Sequence, residues 1–382
     1  MSGVLHRWVM SDVGPTDARG PGRVVQLLGP SSGGIRAHVN ELTRHLRSRG
    51  WAVEVLGPAH VMDGAGGQAG VVDVPTNWNP SALARARRQL AARCHGDAVV
   101  LHVHGLKAGL VAFTVRSRPP TVLTIHNLVV GTRRGVAARM LQRFEAAIIG
   151  RADHVIVISD EIGQRLRGMI ADDRQTFVLP VSPSRTVTMT PSDVRVLHSI
   201  AHDAPLVVIV ARHHRQKDLV TFLHAMNLVR ATIADVRAVM VGDGPDRRAI
   251  EAEREALGLD GTVVIAGHRP NPVDEMNAAD VVALSSRWEG SPLVIAECLL
   301  LGKPLATTDV GTVSRHLHDG VDARVVDVGD SAALGTAIVE LLVDPPAAAR
   351  IGAAGKRVAE SVFDPGHLVD EVTAVYRAVL DM

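Results

Sequence analysis

The densest chemistry in the chain lies in Ser285-Ser286-Arg287-Trp288-Glu289-Gly290-Ser291-Pro292-Leu293-Val294-Ile295-Ala296-Glu297, where two glutamates are separated by seven residues. Carboxylates accept hydrogen bonds from sugar hydroxyls. Gly290 permits close backbone approach, and Pro292 suits the first turn of a helix. The free N–H groups of that turn, near Leu293 and Val294, suit phosphate oxygens. By spacing alone, Glu289 and Glu297 also fit an acid–base pair flanking one bond, as in a hydrolase.

A second group is Ala211-Arg212-His213-His214-Arg215-Gln216-Lys217-Asp218. Arg212 can grip a phosphate with two parallel donors, and Lys217 adds a compact point charge, a pairing that suits a diphosphate; a solvated basic loop is the plainer reading. Gly29-Pro30-Ser31-Ser32-Gly33-Gly34 runs straight into a helix and can bring backbone N–H groups to an anion. It has neither the Gly-Lys-Ser/Thr ending of a P-loop nor dinucleotide Gly-x-Gly-x-x-Gly spacing. Gly242-Asp243-Gly244-Pro245 lacks the third glycine too and reads as a capped helix start. His126, just past an apolar run, can exchange a hydrogen bond with a polar ligand. His102 and His104 alternate at another strand end, but no carboxylate or cysteine at ligand spacing accompanies them, so no metal is expected.

The elements that must position these loops are legible as apolar runs. Val24–Leu28, Ala52–Leu56, Val99–Val103, Thr121–Ile125, Val155–Ile158 and Phe177–Leu179 read as buried parallel strands, with helical sequence such as Ile35–Arg49 between them. Gly64–Gly70 reads as a plain loop. After a polar stretch the rhythm restarts with Leu206–Val210, Ala238–Val241, Val263–Ala266, Val281–Leu284 and Leu305–Thr307. Two successive βα arrays predict two doubly wound α/β domains facing a cleft, with ligands at the C-terminal ends of the strands. The expected boundaries are 1–185, a linker at 186–204, a second domain at 205–363 and a final helix at 364–382.

Composition supports this frame. The 382 residues are enough for two domains, and 46% hydrophobic with 21% charged residues excludes a disordered chain. Aromatics at 3% leave little for base stacking, which argues against nucleic-acid binding. Cys94 and Cys298 stand far apart and read as buried thiols of a reducing, cytoplasmic compartment. No apolar run reaches bilayer length, and no secretory leader is read. The formal charge of +1 hides an asymmetry: residues 1–190 carry 23 basic against 13 acidic side chains, and the remainder 18 against 27.

From Arg212 to about Asp344 the chain resembles the donor-binding domain of retaining GT-B glycosyltransferases of family four, the glycosyl transferases group one. The run LSSRWEGSPLVIAECLLLGKPLATTDVG carries the family's Glu, seven residues, Glu arrangement. ARHHRQKDL and VGDGP match its Arg…Lys element and glycine turn, while SSGGIRAHVNELTRHLRSRGWAVEVL, TIHN and ADHVIVIS match more loosely. The resemblance implies transfer of a sugar from a nucleotide-diphosphate donor with retention, without a metal. Arg212 and Lys217 would stabilise the departing diphosphate, Glu289 would hold sugar hydroxyls and Glu297 the ribose. His126 would contact the sugar, and Gly33, Gly34, Gly290, Ser291, Leu293 and Val294 would line the donor site. Ala211, Asp218, Thr312, Arg315 and Pro180-Val181-Ser182 depart from the family's usual residues. A final helix over Pro365–Leu380 would cross back onto the first domain.

Two other readings stand beside this one: a sugar-nucleotide epimerase or hydrolase on the same fold, and a non-catalytic sugar-nucleotide binding protein. For the acceptor, Pro80–His95 fits a helix with Leu83, Leu90 and Cys94 on one stripe and Arg85, Arg88 and Arg93 around it. With Lys107 and Arg133-Arg134, it suggests an anionic acceptor, lipid-linked or glycan, or a peripheral contact with the inner face of an anionic membrane.

Overall fold

The computed structural model describes residues 21–382 apart from 32, 63–68, 78, 97–98, 127–135 and 184, and not the side chains of 136–138 and 141. Asn127 and Arg133-Arg134 therefore lie outside the described residues. The first half contains β1 (Arg23–Leu28), α1 (Gly34–Ser48), β2 (Ala52–Gly57), α2 (Ala59–Met62), β3 (Ala69–Val71) and α3 (Pro80–Ala91). It continues with β4 (Val99–His104), α4 (Leu106–Ala112), β5 (Thr121–Ile125), α5 (Val136–Ile149), β6 (His154–Val157), α6 (Asp160–Leu166) and β7 (Gln175–Phe177). These seven strands form one parallel sheet in the order β3-β2-β1-β4-β5-β6-β7.

The second half opens with α7 (Pro191–Leu197), β8 (Leu206–Val210), α8 (Leu219–Thr232), β9 (Arg237–Val241), α9 (Arg247–Ala256), β10 (Val263–Gly267) and α10 (Val273–Ala278). It closes with β11 (Val281–Leu284), α11 (Leu293–Leu300), β12 (Leu305–Thr308), α12 (Val313–His316), β13 (Arg324–Val326), α13 (Ser331–Val343), α14 (Pro345–Val362) and α15 (Pro365–Leu380). Its sheet, also parallel, runs β10-β9-β8-β11-β12-β13. Near-continuous Val, Ile and Leu bury each central strand on both faces, because helices cover both sides of a sheet built from βαβ crossovers. The result is two doubly wound Rossmann-like units, the GT-B arrangement.

Several details add to or depart from the sequence reading. Ala69 and Gly70, the end of the expected loop, open the edge strand β3, and the strand expected at Phe177–Leu179 lies earlier, as β7 over Gln175–Phe177. The stretch 186–204 is not slack: α7 carries a Thr190/Asp193 capping box, and Asp274 of α10 accepts from Thr188 N–H, Thr188 Oγ1 and Met189 N–H. Arg195 ties the same segment to Ala201 and Ala204 carbonyls and to Asp280. Pro245 precedes α9 without belonging to it, and Asp246 at the N-cap gives no side-chain cap.

One apolar core runs through both units: Leu42, Leu46 and Trp51 share it with Val208, Leu284 and Leu299. The helix α15 joins them, with Leu368, Val372 and Tyr376 buried in that core and the helix lying on α1, β4 and β5. Cys94 and Cys298 are buried and unbridged. Among the described residues no single helix is long and apolar enough to cross a membrane.

Candidate functional site

In each sheet the strand order reverses direction at one place, and there the loops at the strand C-termini part to leave a crevice. In the second sheet that place lies between β8 and β11, which pair directly (Val281 opposite Val207). The loop after β8 carries Arg212 and Lys217, and the loop after β11 carries Glu289. The two loops are knitted together. Ser285 Oγ donates to the Lys217 carbonyl at 2.9 Å, and Arg287 N–H donates to the Gln216 carbonyl at 2.8 Å. Asp218 adopts a left-handed backbone (φ 44°) ahead of α8, and its carboxylate accepts from Thr221 Oγ1 and Arg287 Nε, both at 2.8 Å.

At the centre, Lys217 Nζ pairs with Glu289 Oε1, which also accepts from Ser286 Oγ at 2.7 Å. Gln216 Nε2 reaches Glu289 Oε2 at 3.4 Å and the Trp288 carbonyl at 2.9 Å. Arg212 differs: it is exposed, and no described residue pairs with it. The pair of glycines after β9 explains why the loop can sit there. Side chains at Gly242 and Gly244 would strike the Ala211 and His213 carbonyls, and Gly242 (φ 140°) holds a conformation L residues rarely adopt.

Glu297 lies on α11, with its side chain buried. Its neighbour is Arg185, whose Nε lies 3.0 Å from Glu297 Oε1 but is not aligned to donate to it. Burial pushes the Glu297 carboxyl up to about 7, against the opposing pull of the Arg185 guanidinium. Arg185 carries no spacing signal in the sequence, because only the interdomain segment's path brings it to α11.

In the first sheet the reversal lies between β1 and β4, and the loop after β1 ends in Gly33 (φ 77°), the N-cap of α1. This crevice faces the other. A methyl group on Gly34 would lie 3.6 Å from Leu293 Cδ1, at the start of α11. One on Gly290 would lie 2.7 Å from both the His126 carbonyl oxygen and Ile158 Cδ1. Thus Gly33 and Gly34, His126, and the Glu289-to-Val294 loop meet across one seam, with Ser291, Leu293 and Val294 half-buried along it. Arg315 crosses the same seam: it pairs with Asp160 of α6 and lies 4.3 Å from the centre of the Phe177 ring.

His126 belongs to a buried cluster that the sequence did not reveal as a unit. His104 Nδ1 lies 3.1 Å from His126 Nε2, and the His38 ring meets both edge-on. His102 bonds Tyr376 of α15 at 2.6 Å and Thr124 at 2.7 Å. Burial lowers every one of these imidazoles, His38 to about 4 and His102 to about 3, so all are neutral near pH 7. One ring nitrogen from each of His38, His104 and His126 lies within 4.8 Å of the others, close enough to be weighed as a metal-donor set.

A family model for the Glycosyl transferase 4-like domain matches residues 33–182, and one for Glycosyl transferases group 1 matches residues 204–344. The chain is 28% identical to a phosphatidyl-myo-inositol mannosyltransferase of Mycobacterium leprae, over 91% of this chain and 93% of the relative. It is 27% identical to a D-inositol 3-phosphate glycosyltransferase of Geodermatophilus obscurus, over 92% and 86%. Among solved structures, the Anabaena protein HepE in complex with UDP-glucose superposes with a TM-score of 0.79 at 20% identity, covering 93% of this chain and 99% of that one. One glycosyl transferase domain model thus matches on each sheet: the 4-like model takes in Gly33, Gly34 and His126 of the first unit, and the group 1 model takes in Arg212, Lys217, Glu289 and Glu297 of the second.

Proposed function

We propose that the chain transfers a sugar from a nucleotide-diphosphate donor to an acceptor hydroxyl with retention at the anomeric carbon. The observation that carries this is the second crevice, where the loop that holds an exposed Arg212 also supplies Lys217 of the Lys217–Glu289 pair, and the His126 backbone lies against the Gly290 loop from the other unit. In this reading Arg212 and Lys217 supply the positive charge that offsets the leaving diphosphate, with no resident cation required. Glu289 accepts from donor-sugar hydroxyls and Glu297 from the ribose. The N–H groups at the start of α11 and the Gly33-Gly34 turn approach the phosphates. The acceptor oxygen bonds to the anomeric carbon on the face the phosphate leaves. The carbon–phosphate oxygen bond breaks, and the acceptor proton passes to the departing phosphate.

Support for the donor class comes from HepE, solved with UDP and with UDP-glucose. Support for an anionic acceptor comes from the phosphate-bearing acceptors in the relatives' names and from the basic first half of this chain. For a contact with anionic membrane, α3 offers little apolar surface, since Ala86 and Leu90 are spent against its own sheet. The helix α5 fits better: Met140 (66% exposed) and Phe144 (44%) project beside exposed Arg139 and Arg143.

A thermal-shift screen of nucleoside diphosphates and their sugars tests the donor, since a specific ligand raises the melting temperature by mass action. Turnover of the donor equally fast without any acceptor would favour a hydrolase or epimerase. No shift with any nucleotide would overturn the reading. Co-sedimentation with anionic vesicles that Phe144→Glu abolishes would support the membrane contact.

A further inference from the structure

A chain of buried hydrogen bonds leads from the backbone of α1 to His126, and its direction can be worked out proton by proton. Thr43 Oγ1 lies 2.7 Å from the Val39 carbonyl. Two oxygens approach that closely only with a proton between them, so the one hydroxyl proton of Thr43 points at Val39 and a lone pair faces outward. Gln26 Nε2 donates to that lone pair at 2.7 Å, which fixes the amide with its oxygen turned the other way. Gln26 Oε1 is 3.0 Å from His104 Nε2, so this nitrogen carries the proton. His104 is neutral, so its Nδ1 is a lone pair, and His126 Nε2 at 3.1 Å must donate to it.

We infer that Thr43, Gln26 and His104 are positioning residues that lock His126 as the neutral Nε2–H tautomer. The Nδ1 lone pair is then left to accept a hydrogen bond from a hydroxyl of the transferred sugar or the acceptor. The inference rests on the reading that His126 faces the transferred sugar. It makes His126 an acceptor rather than a donor, so its proper substrate partner is a hydroxyl and not a phosphate oxygen. It also fills the space between His104 and His126 with a proton, which a metal ion held there would displace.

The relay is tested without touching the site. Thr43→Val keeps the shape of the side chain but removes the lone pair that orients Gln26, whereas Thr43→Ser retains it. Nitrogen-15 spectra of histidine-labelled protein should show His126 protonated at Nε2 in the wild type and in Thr43→Ser. Thr43→Val should show a mixture of tautomers. In transfer assays Thr43→Val should lower kcat about tenfold with little change in the donor KM, as expected for one misdirected hydrogen bond. Thr43→Ser should restore the rate.

A wild-type His126 protonated at Nδ1, or a Thr43→Val protein with unchanged spectra and rate, would overturn the relay. So would stoichiometric Co2+ binding with a tetrahedral visible band lost in His38→Ala. Because the spectra need no substrate, failure to find any transfer activity would count against the proposed function while leaving the tautomer assignment standing.

Discussion

Glu289 and Lys217 satisfy each other in the free protein, while Arg212 is left to solvent. This difference separates effects on activity from effects on stability. Arg212→Ala should change stability by no more than about 0.5 kcal/mol, as for a surface substitution, yet slow transfer sharply. Lys217→Ala and Glu289→Gln should each slow transfer about a hundredfold. Since they share one contact, the double variant should lose far less than the product of the two, which a double-mutant cycle measures. Glu297 makes a different prediction. Its folded pKa, near 7, lies above its ordinary value of 4.5, so the native state holds a proton that the unfolded chain releases. That contribution is fully present below about pH 4.5 and is lost as pH rises towards and through 7, a swing of about 3 kcal/mol at most. Ribose hydroxyls donating to the carboxylate would favour its charged form. Donor binding near pH 7 should then release protons, seen by calorimetry in buffers of different ionisation heat, and Glu297→Gln should abolish the release.

At the scale of elements, the central strands were legible because parallel strands covered on both faces must be apolar throughout, as Leu206–Val210 is. The short edge strands β3 and β13 were not, since three residues at a sheet margin carry no such run. The loops that bring Lys217 and Glu289 together were legible from residue type and motif. The histidine cluster was not, because only sheet register brings Gln26 opposite His102 and Leu28 opposite His104. The glycines also belong to this scale. Gly290→Ala must push His126 and Ile158 away from the loop, since its new carbon would lie 2.7 Å from both. It should slow transfer by tenfold or more through misplacement of about an ångström, while donor binding to the second unit persists. Equilibrium binding measured beside kcat checks this.

For the whole molecule, the seam between the units is held partly by charge. Arg315 reaches Asp160 and the Phe177 ring on the other unit. Both charged partners are over two-fifths exposed, so the pair contributes about 0–1 kcal/mol and is screened by salt. Closure of the cleft, followed by small-angle scattering, should therefore weaken with ionic strength. Arg315→Asp should mimic high salt, and Asp160→Arg in the same chain should restore closure.

The return of α15 to the first unit bears on how the chain matures as it is made. Domains generally acquire structure in the order they leave the ribosome. Here the first unit to emerge lacks Tyr376, the residue that bonds His102 and packs edge-on against Trp51, until the last helix is synthesised. The second unit, contained between residues 190 and 362, has every strand of its own sheet by Val326. The half translated first is thus completed last, and it waits with one face of α1, β4 and β5 uncovered while the later half closes.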